Sequence, residues 1–339
     1  MPAASQTSSF TRAAAIRSLA VPVLLWAIIA VGGLFVGSTG FGVGGWSDRL
    51  ESVLLASLVG ASLGAAGCVF QAVLRNPLAD PYLLGVSSGA ALASYLYFSP
   101  MWLTGMAATV AGVLGPTLLA LTGALLTVVV AVSFSMRHGR PDPLSLVLTG
   151  TVITSFLSAV FVLLTTLRPE LTAASGGSMR FLIGAFQLPM AGWQWAVATG
   201  LAAAGWLACG SVVPAMNVAQ VSDAEATALG VRIGRLRLIA IAGAAIMTAA
   251  AVSVSGPIGF VGIMCPHVAR LLVGGDYRRL YPAATAAGAI LLVLSDGLCR
   301  TLAQDQFLQR LLPVGVVTAM LGVPFFLLLL RRARRAEEV

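Results

Sequence analysis

The chain has 339 residues, 58% of them hydrophobic and 9% charged, with a formal net charge of +8 at pH 7 and a mean hydropathy of +0.94. A soluble domain carries roughly a quarter charged residues, so water is not the solvent of most of this chain. All twenty basic residues are arginine, set singly or in short clusters between apolar runs with few aromatics among them, which marks topology and excludes a nucleic-acid footprint.

Crossing a hydrocarbon core of about 30 Å takes about 20 apolar helical residues. A polar tail, 1–14, leads into an apolar run from Leu19 to Val36 behind Arg12 and Arg17. The charge pattern is that of a signal peptide, but no small-residue cleavage site closes it and many runs follow, so a retained first helix over 17–37 is predicted. Further spans are predicted at 52–75, 103–133, 144–167, 193–213, 233–253, 279–300 and 312–330. Two shorter stretches, Leu83 to Phe98 and Ile258 to Val273, are marginal for length, and each follows a segment dense in Gly and Pro. With both counted there are ten spans.

Lysine and arginine near span ends accumulate on the cytoplasmic side. Ten spans with the N-terminus inside put fifteen arginines inside and five outside, the five being Arg49, Arg168, Arg180, Arg300 and Arg310. Dropping either short stretch strands part of the basic set, including the tail at 331–339, on the wrong face. The expectation is an all-α membrane protein forming one permease domain over 1–339, with both termini cytoplasmic. The short stretches are third and eighth in order and cross in opposite directions, which predicts inverted-repeat halves of about 51–168 and 232–331.

The inventory for chemistry is poor. Cys68, Cys209, Cys265 and Cys299 lie far apart without C-x-x-C spacing, indicating neither disulfide nor metal site. Of two histidines, His138 sits in an inner loop with Arg137 and Arg140, and His267 follows Pro266, where a structural polar contact is expected. The chain has no lysine and so no G-x-x-x-x-G-K-[ST] phosphate loop. Asp296 is the only carboxylate well inside an apolar run, and Arg300 at i+4 pairs with it on one face. That argues against a proton relay and ranks an ion-coupled secondary transporter second and an intramembrane enzyme last. Gln71, inside the second span, seeks either a helix partner or a cavity.

Two strings carry more. Arg75-Asn76-Pro77-Leu78-Ala79-Asp80-Pro81-Tyr82-Leu83-Leu84-Gly85-Val86-Ser87-Ser88-Gly89-Ala90 breaks a helix with two prolines and offers Asn76 and Asp80 for local turns. Gly256-Pro257-Ile258-Gly259-Phe260-Val261-Gly262-Ile263-Met264-Cys265-Pro266-His267 places glycines at every third position, so backbones can approach closely. Both strings, with Leu312-Pro313-Val314-Gly315 and Gly322-Val323-Pro324-Phe325-Phe326, resemble the permease family that imports iron-siderophores, haem and vitamin B12 (FecCD/BtuC-like permeases).

The resemblance implies a type II ATP-binding-cassette importer of the bacterial cytoplasmic membrane. Two copies of this subunit would enclose a pathway, with two cytoplasmic ATPase subunits and an external substrate-binding protein. The subunit would bind no cofactor directly; ATP and Mg would belong to the ATPase. It also implies coupling helices within 214–232, where Ser222 can cap a short helix closing at Gly230, with Asp223, Ala224, Glu225, Leu229 and Gly230 as ATPase-coupling residues. The cytoplasmic gate would use Asn76 and Leu78 together with Pro143 and Leu144, the last two replacing hydroxyl residues of some relatives and suggesting an apolar constriction. Binding-protein docking would fall to Arg49 and Arg300. Here the chain departs from the family's paired arginines, because Arg49-Leu50-Glu51-Ser52 keeps only the first. The cargo, whether ferric siderophore, haem or cobalamin, is not legible.

Overall fold

The computed structural model describes residues 12–37, 40–41, 46–98, 106–137, 139–167, 181, 183–220, 222–302 and 312–337. Among them are eleven α-helices: α1 (Arg12–Phe35), α2 (Trp46–Leu74), α3 (Val86–Phe98), α4 (Met106–Ser135), α5 (Pro143–Leu167), α6 (Gly192–Ala219), α7 (Asp223–Ala228), α8 (Ile233–Ser255), α9 (Val261–Val273), α10 (Tyr277–Leu302) and α11 (Val314–Glu337). Two ladders of two residues each, β1 (Val36–Gly37) with β2 (Gly40–Phe41) and β3 (Met136–Arg137) with β4 (Arg140–Pro141), are the strand structure among the described residues. Each predicted span coincides with a helix, and the eleventh, α7, is the short segment after Ser222. Among the described residues, six helices are long and apolar enough to cross a membrane: α2, α4 from Gly115, α5, α6, α8 and α10. The chain is a multi-pass membrane protein.

The two short stretches are helices of 13 residues each, α3 and α9, about 20 Å long at 1.5 Å per residue. Both start later than the apolar pattern suggests, and local chemistry explains why. Ahead of α3, Asp80 accepts a hydrogen bond from the Tyr82 N–H at 2.8 Å and caps a 3-10 turn, Pro81–Leu84, which Gly85 closes at φ 76°. Ahead of α9, Gly256 ends α8 at φ 65° and residues 256–259 run without helical structure to Phe260 at φ 69°. These two lead-in segments touch each other: the Ile258 N–H donates to the Tyr82 hydroxyl at 3.0 Å.

Helices α2 and α8 are the buried posts of the molecule, with most of their length in the core. Helix α2 crosses α10 at Gly60, where a Cβ would run into the Gly288 carbonyl. It crosses α9 at Gly67, where a Cβ would run into Gly262. One turn beyond Gly67, the Gln71 Nε2 donates to the Gly262 and Ile263 carbonyls at 3.3 Å each, so this amide has a helix partner. The neighbour pattern is mirrored. Helix α2 packs on α9 and α10 as α8 packs on α3 and α4, while α3–α4–α5 and α9–α10–α11 pack in series.

Helix α5 departs from this burial, as α1 does, since only Leu146 and Gly150 of its 25 residues are buried. Leu144, Leu148, Val152 and Phe156 recur at i+4 and are between 57% and 69% exposed. That stripe faces no other described part of the chain.

Candidate coupling and gating site

The predicted inner loops meet at one end of the molecule, joined by a single carboxylate. Asp223, the first residue of α7, takes the Arg75 Nη2 at 2.6 Å on one oxygen and the Arg237 Nη2 at 2.8 Å on the other. Arg75 follows the end of α2 at φ 48° and also donates to the Ala219 carbonyl at 2.7 Å, at the end of α6. Arg237, on the second turn of α8, reaches the Pro141 carbonyl at 3.5 Å with its other nitrogen. The chain of contacts therefore runs from the loop after α2, through α7 and α8, to the β3–β4 hairpin that leads into α5. Asn217 of α6 extends it, donating to Asp276 at 2.6 Å and accepting from the Tyr277 N–H at 2.8 Å, at the start of α10.

Local capping shapes each part. The Ser222 hydroxyl accepts from the Glu225 N–H at 3.1 Å, and Gly230 at φ 86° turns the chain into α8. Asn76 accepts from the Leu78 N–H at 2.9 Å, which fixes the turn after α2. Asp142 caps α5 by accepting from the Ser145 N–H at 2.9 Å. The Ser145 backbone and hydroxyl hold its carboxyl below the ordinary carboxylate value, and Arg137 and Arg237 add to this.

With Ala226 buried and Asp223 held by its two arginines, α7 and the two residues after it present Ala224, Glu225, Leu229 and Gly230 outward, Leu229 being 74% exposed. The gate residues Leu78 and Leu144 are exposed apolar side chains, 40% and 69%, beside Asn76 and Pro143 at this same end. Arg75 and Arg237 are members of the site that sequence reasoning misses, because their placement near span ends marks them only as topology signals. The signal available is Asp223, an acid in a basic loop region.

At the opposite end, Arg49 is buried at 6% exposure and donates to the Leu34 carbonyl at 3.3 Å. Arg300 pairs with Asp296 at 2.8 Å and donates to the Val36 carbonyl at 3.1 Å. The departures at Glu51 and Ser52 have structural work: the Ser52 hydroxyl lies 2.9 and 3.0 Å from the two Asp296 oxygens. Glu51 accepts from the Met190 N–H at 2.7 Å and the Trp195 Nε1 at 3.3 Å. His267, expected in a polar contact, packs edge-on against the Phe325 ring, centroids 5.9 Å apart. His138 lies outside the described residues.

A bundle of apolar helices with paired short helices, and a small surface helix tied by ion pairs to the loops at one end, defines a membrane transport permease. A family model agrees over residues 44–332, and the chain belongs to the FecCD transport family. Among its relatives, the hemin transport system permease protein HmuU of Yersinia pestis is 36% identical over 86% of this chain and 84% of its own. The cobalamin import system permease protein BtuC of Halobacterium salinarum is 34% identical over 84% of this chain and 72% of its own. A solved ABC transporter assigned to the metal-chelate type, in an inward-facing conformation, superposes with a TM-score of 0.76 at 26% identity, over 94% of this chain and 99% of that one. The homologues are transport permease subunits rather than enzymes.

Proposed function

We propose that two copies of this chain form the pathway of a binding-protein-dependent importer in the bacterial cytoplasmic membrane, moving an iron complex or cobalamin, with ATP and Mg handled by two partner ATPase subunits. The observation that carries the reading is the Asp223 junction, which holds α7 to Arg75 and Arg237 while leaving Ala224, Glu225, Leu229 and Gly230 free for a partner. An ATPase that displaces α7 pulls on both gate segments, through Arg75 on Asn76 and Leu78, and through Arg237 and Pro141 on Pro143 and Leu144. The arginine bias, and the way the loops assigned to the inside contact one another, support ten crossings with cytoplasmic termini. The mirrored neighbour pattern supports inverted halves of about 51–168 and 232–331.

On the outer face, Arg49 and Arg300 mark the docking region for the binding protein, with Arg300 also in its structural pair with Asp296. A ferric siderophore, haem or cobalamin as cargo is supported by relatives named for iron(3+)-hydroxamate, hemin and cobalamin import, each matching most of the chain. Proteoliposomes holding the permease, its ATPase and its binding protein test the proposal. Cargo should enter only when ATP is supplied on the ATPase side. Uptake that persists without ATP and follows an ion gradient overturns the importer reading in favour of a coupled carrier.

A further inference from the structure

Beside the coupling junction lies a second basic feature that the coupling does not use. Arg140, Arg232 and Arg235 are exposed and, among the described residues, their guanidinium groups have no hydrogen-bond or ion-pair partner. All three line one cleft of about 570 Å³ between the β3–β4 hairpin and the start of α8. The cleft is built rather than incidental. Gly139 at φ 74° turns the hairpin back, and the bond from Arg237 to the Pro141 carbonyl fixes it to α8. The stem of Arg140 lies over the first turn of α8, since a Cβ on Gly234 would come 3.0 Å from its Cγ.

That turn adds donors of its own. No side chain caps α8 at Arg232, and the first bond of the helix is from the Leu236 N–H to the Arg232 carbonyl. The N–H groups of the turn before it belong to residues that line the cleft, at the positive end of a 23-residue helix. Three guanidinium groups around one space repel one another until a counter-charge enters. One wall, however, is apolar: Met136 and Leu238 are 43% and 45% exposed, and Leu238 lies one turn deeper along α8 than Arg235.

The geometry points to a site for the headgroup phosphate of an anionic phospholipid, held by Arg140, Arg232, Arg235 and the first turn of α8, with its glycerol and upper acyl chain against Met136 and Leu238. The phosphate answers the uncompensated charge, and the apolar wall selects a lipid over a free anion, which would leave that wall wet. Basic pockets at the cytoplasmic edge of membrane helices take such headgroups on the same physical grounds. The inference needs the chain to be a membrane protein and is independent of what it transports.

Native mass spectrometry of the purified full-length chain in detergent, titrated with phosphatidylglycerol and in parallel with phosphatidylcholine, tests it without any transport assay. In the triple variant Arg140→Gln, Arg232→Gln, Arg235→Gln, apparent phosphatidylglycerol affinity should fall roughly a hundredfold, the sum for three arginines near a membrane surface. A charge-matched control in the tail, Arg331→Gln, Arg332→Gln, Arg334→Gln, should stay within about twofold if the cleft and not net charge is responsible. Phosphatidylcholine binding should not change, and glycerol 1-phosphate should not displace bound phosphatidylglycerol. Because the three side chains are exposed and unpaired, the triple variant should melt like the parent. Equal phosphatidylglycerol binding by triple variant and parent overturns the proposal. So does displacement by glycerol 1-phosphate, which makes the cleft a site for soluble phosphates. Loss of ATPase binding with lipid binding intact also overturns it, and assigns the cleft to a protein partner.

Discussion

Pro266 has no N–H, so the Gly262 carbonyl one turn earlier in α9 loses its helical donor, and at membrane depth no water replaces it. Gln71 of α2 fills that gap at 3.3 Å, and the contact is possible only because Gly67 and Gly262 let the two backbones touch. Gln71→Leu should therefore cost about 1–3 kcal/mol, the penalty for stranding a buried carbonyl. In a Pro266→Ala background, where residue 266 regains its N–H, the same substitution should cost much less. A double-mutant cycle read by denaturant unfolding in detergent checks this, and equal costs in both backgrounds would refute the pairing. A second residue-scale effect comes from Asp80, whose buried carboxyl is pushed up from 3.8 to about 6 by desolvation, partly offset by the Tyr82 N–H. A folded-state value above the unfolded one means the folded protein holds the proton more tightly. Its stabilising contribution is complete below about pH 4 and is lost as pH rises through about 6. The melting temperature of the parent should fall between about pH 4 and about pH 6 and level off above that, and Asp80→Asn should flatten that slope. The variant should gain on the order of 3 kcal/mol at the upper end. The sequence marked Gln71 as a polar residue in an apolar run and Asp80 as a turn former. Neither the partner 191 positions away nor the depth of burial could be read, because both depend on which helices cross.

At the scale of elements, α7 is six residues long and too short to hold itself; it stays in place through the Ser222 cap, buried Ala226 and the two arginines on Asp223. Asp223 is about two-fifths exposed, so these pairs are screened and contribute little to folding, on the order of 1 kcal/mol or less. Their weight should appear in coupling instead. Asp223→Asn or Arg237→Gln should leave the permease folded and still bound to its ATPase, while cargo moved per ATP hydrolysed falls several-fold. Unchanged stoichiometry would mean that α7 acts without this junction. Leu229→Asp should behave differently, because an apolar side chain 74% exposed has no structural work within the chain. That variant should keep its own stability and lose affinity for the ATPase, measured by co-purification. The helix boundaries here were legible from Ser222 and Gly230, since caps are local chemistry. The arginine partners were not, as Arg75 and Asp223 are 148 positions apart and meet only when α2 and α6 end at the same level. The late starts of α3 and α9 have the same origin in reverse: apolar composition extended both spans towards the segments that precede them, while Gly85 and Phe260 at positive φ fixed where the helices begin.

For the whole molecule, the number and order of apolar runs carried over directly into helices because length and composition alone decide what can cross a bilayer. Which of those helices would be left uncovered was not in the pattern, since α5 and α8 are similarly apolar but only α8 is buried. An exposed apolar stripe in a membrane protein faces lipid or another subunit, and α1 shares this exposure with α5. Leu144, at the inner end of the stripe, is also a gate candidate, and a gate in a homodimer requires the same residue from both copies to approach the axis. Cysteines placed singly at 144, 148, 152 and 156 should therefore cross-link two copies on oxidation, while the interleaved positions 145 and 149 should not. The four native cysteines are buried and give a clean background. If the stripe is dark to cross-linking while lipid-phase quenchers reach all four positions, α5 faces the bilayer and the pathway must be lined elsewhere. Cross-linking confined to 144 and 148 would place the closest approach at the inner end, with the two α5 helices diverging outward. That is the shape expected of a pathway closed at the cytoplasmic side by an apolar constriction.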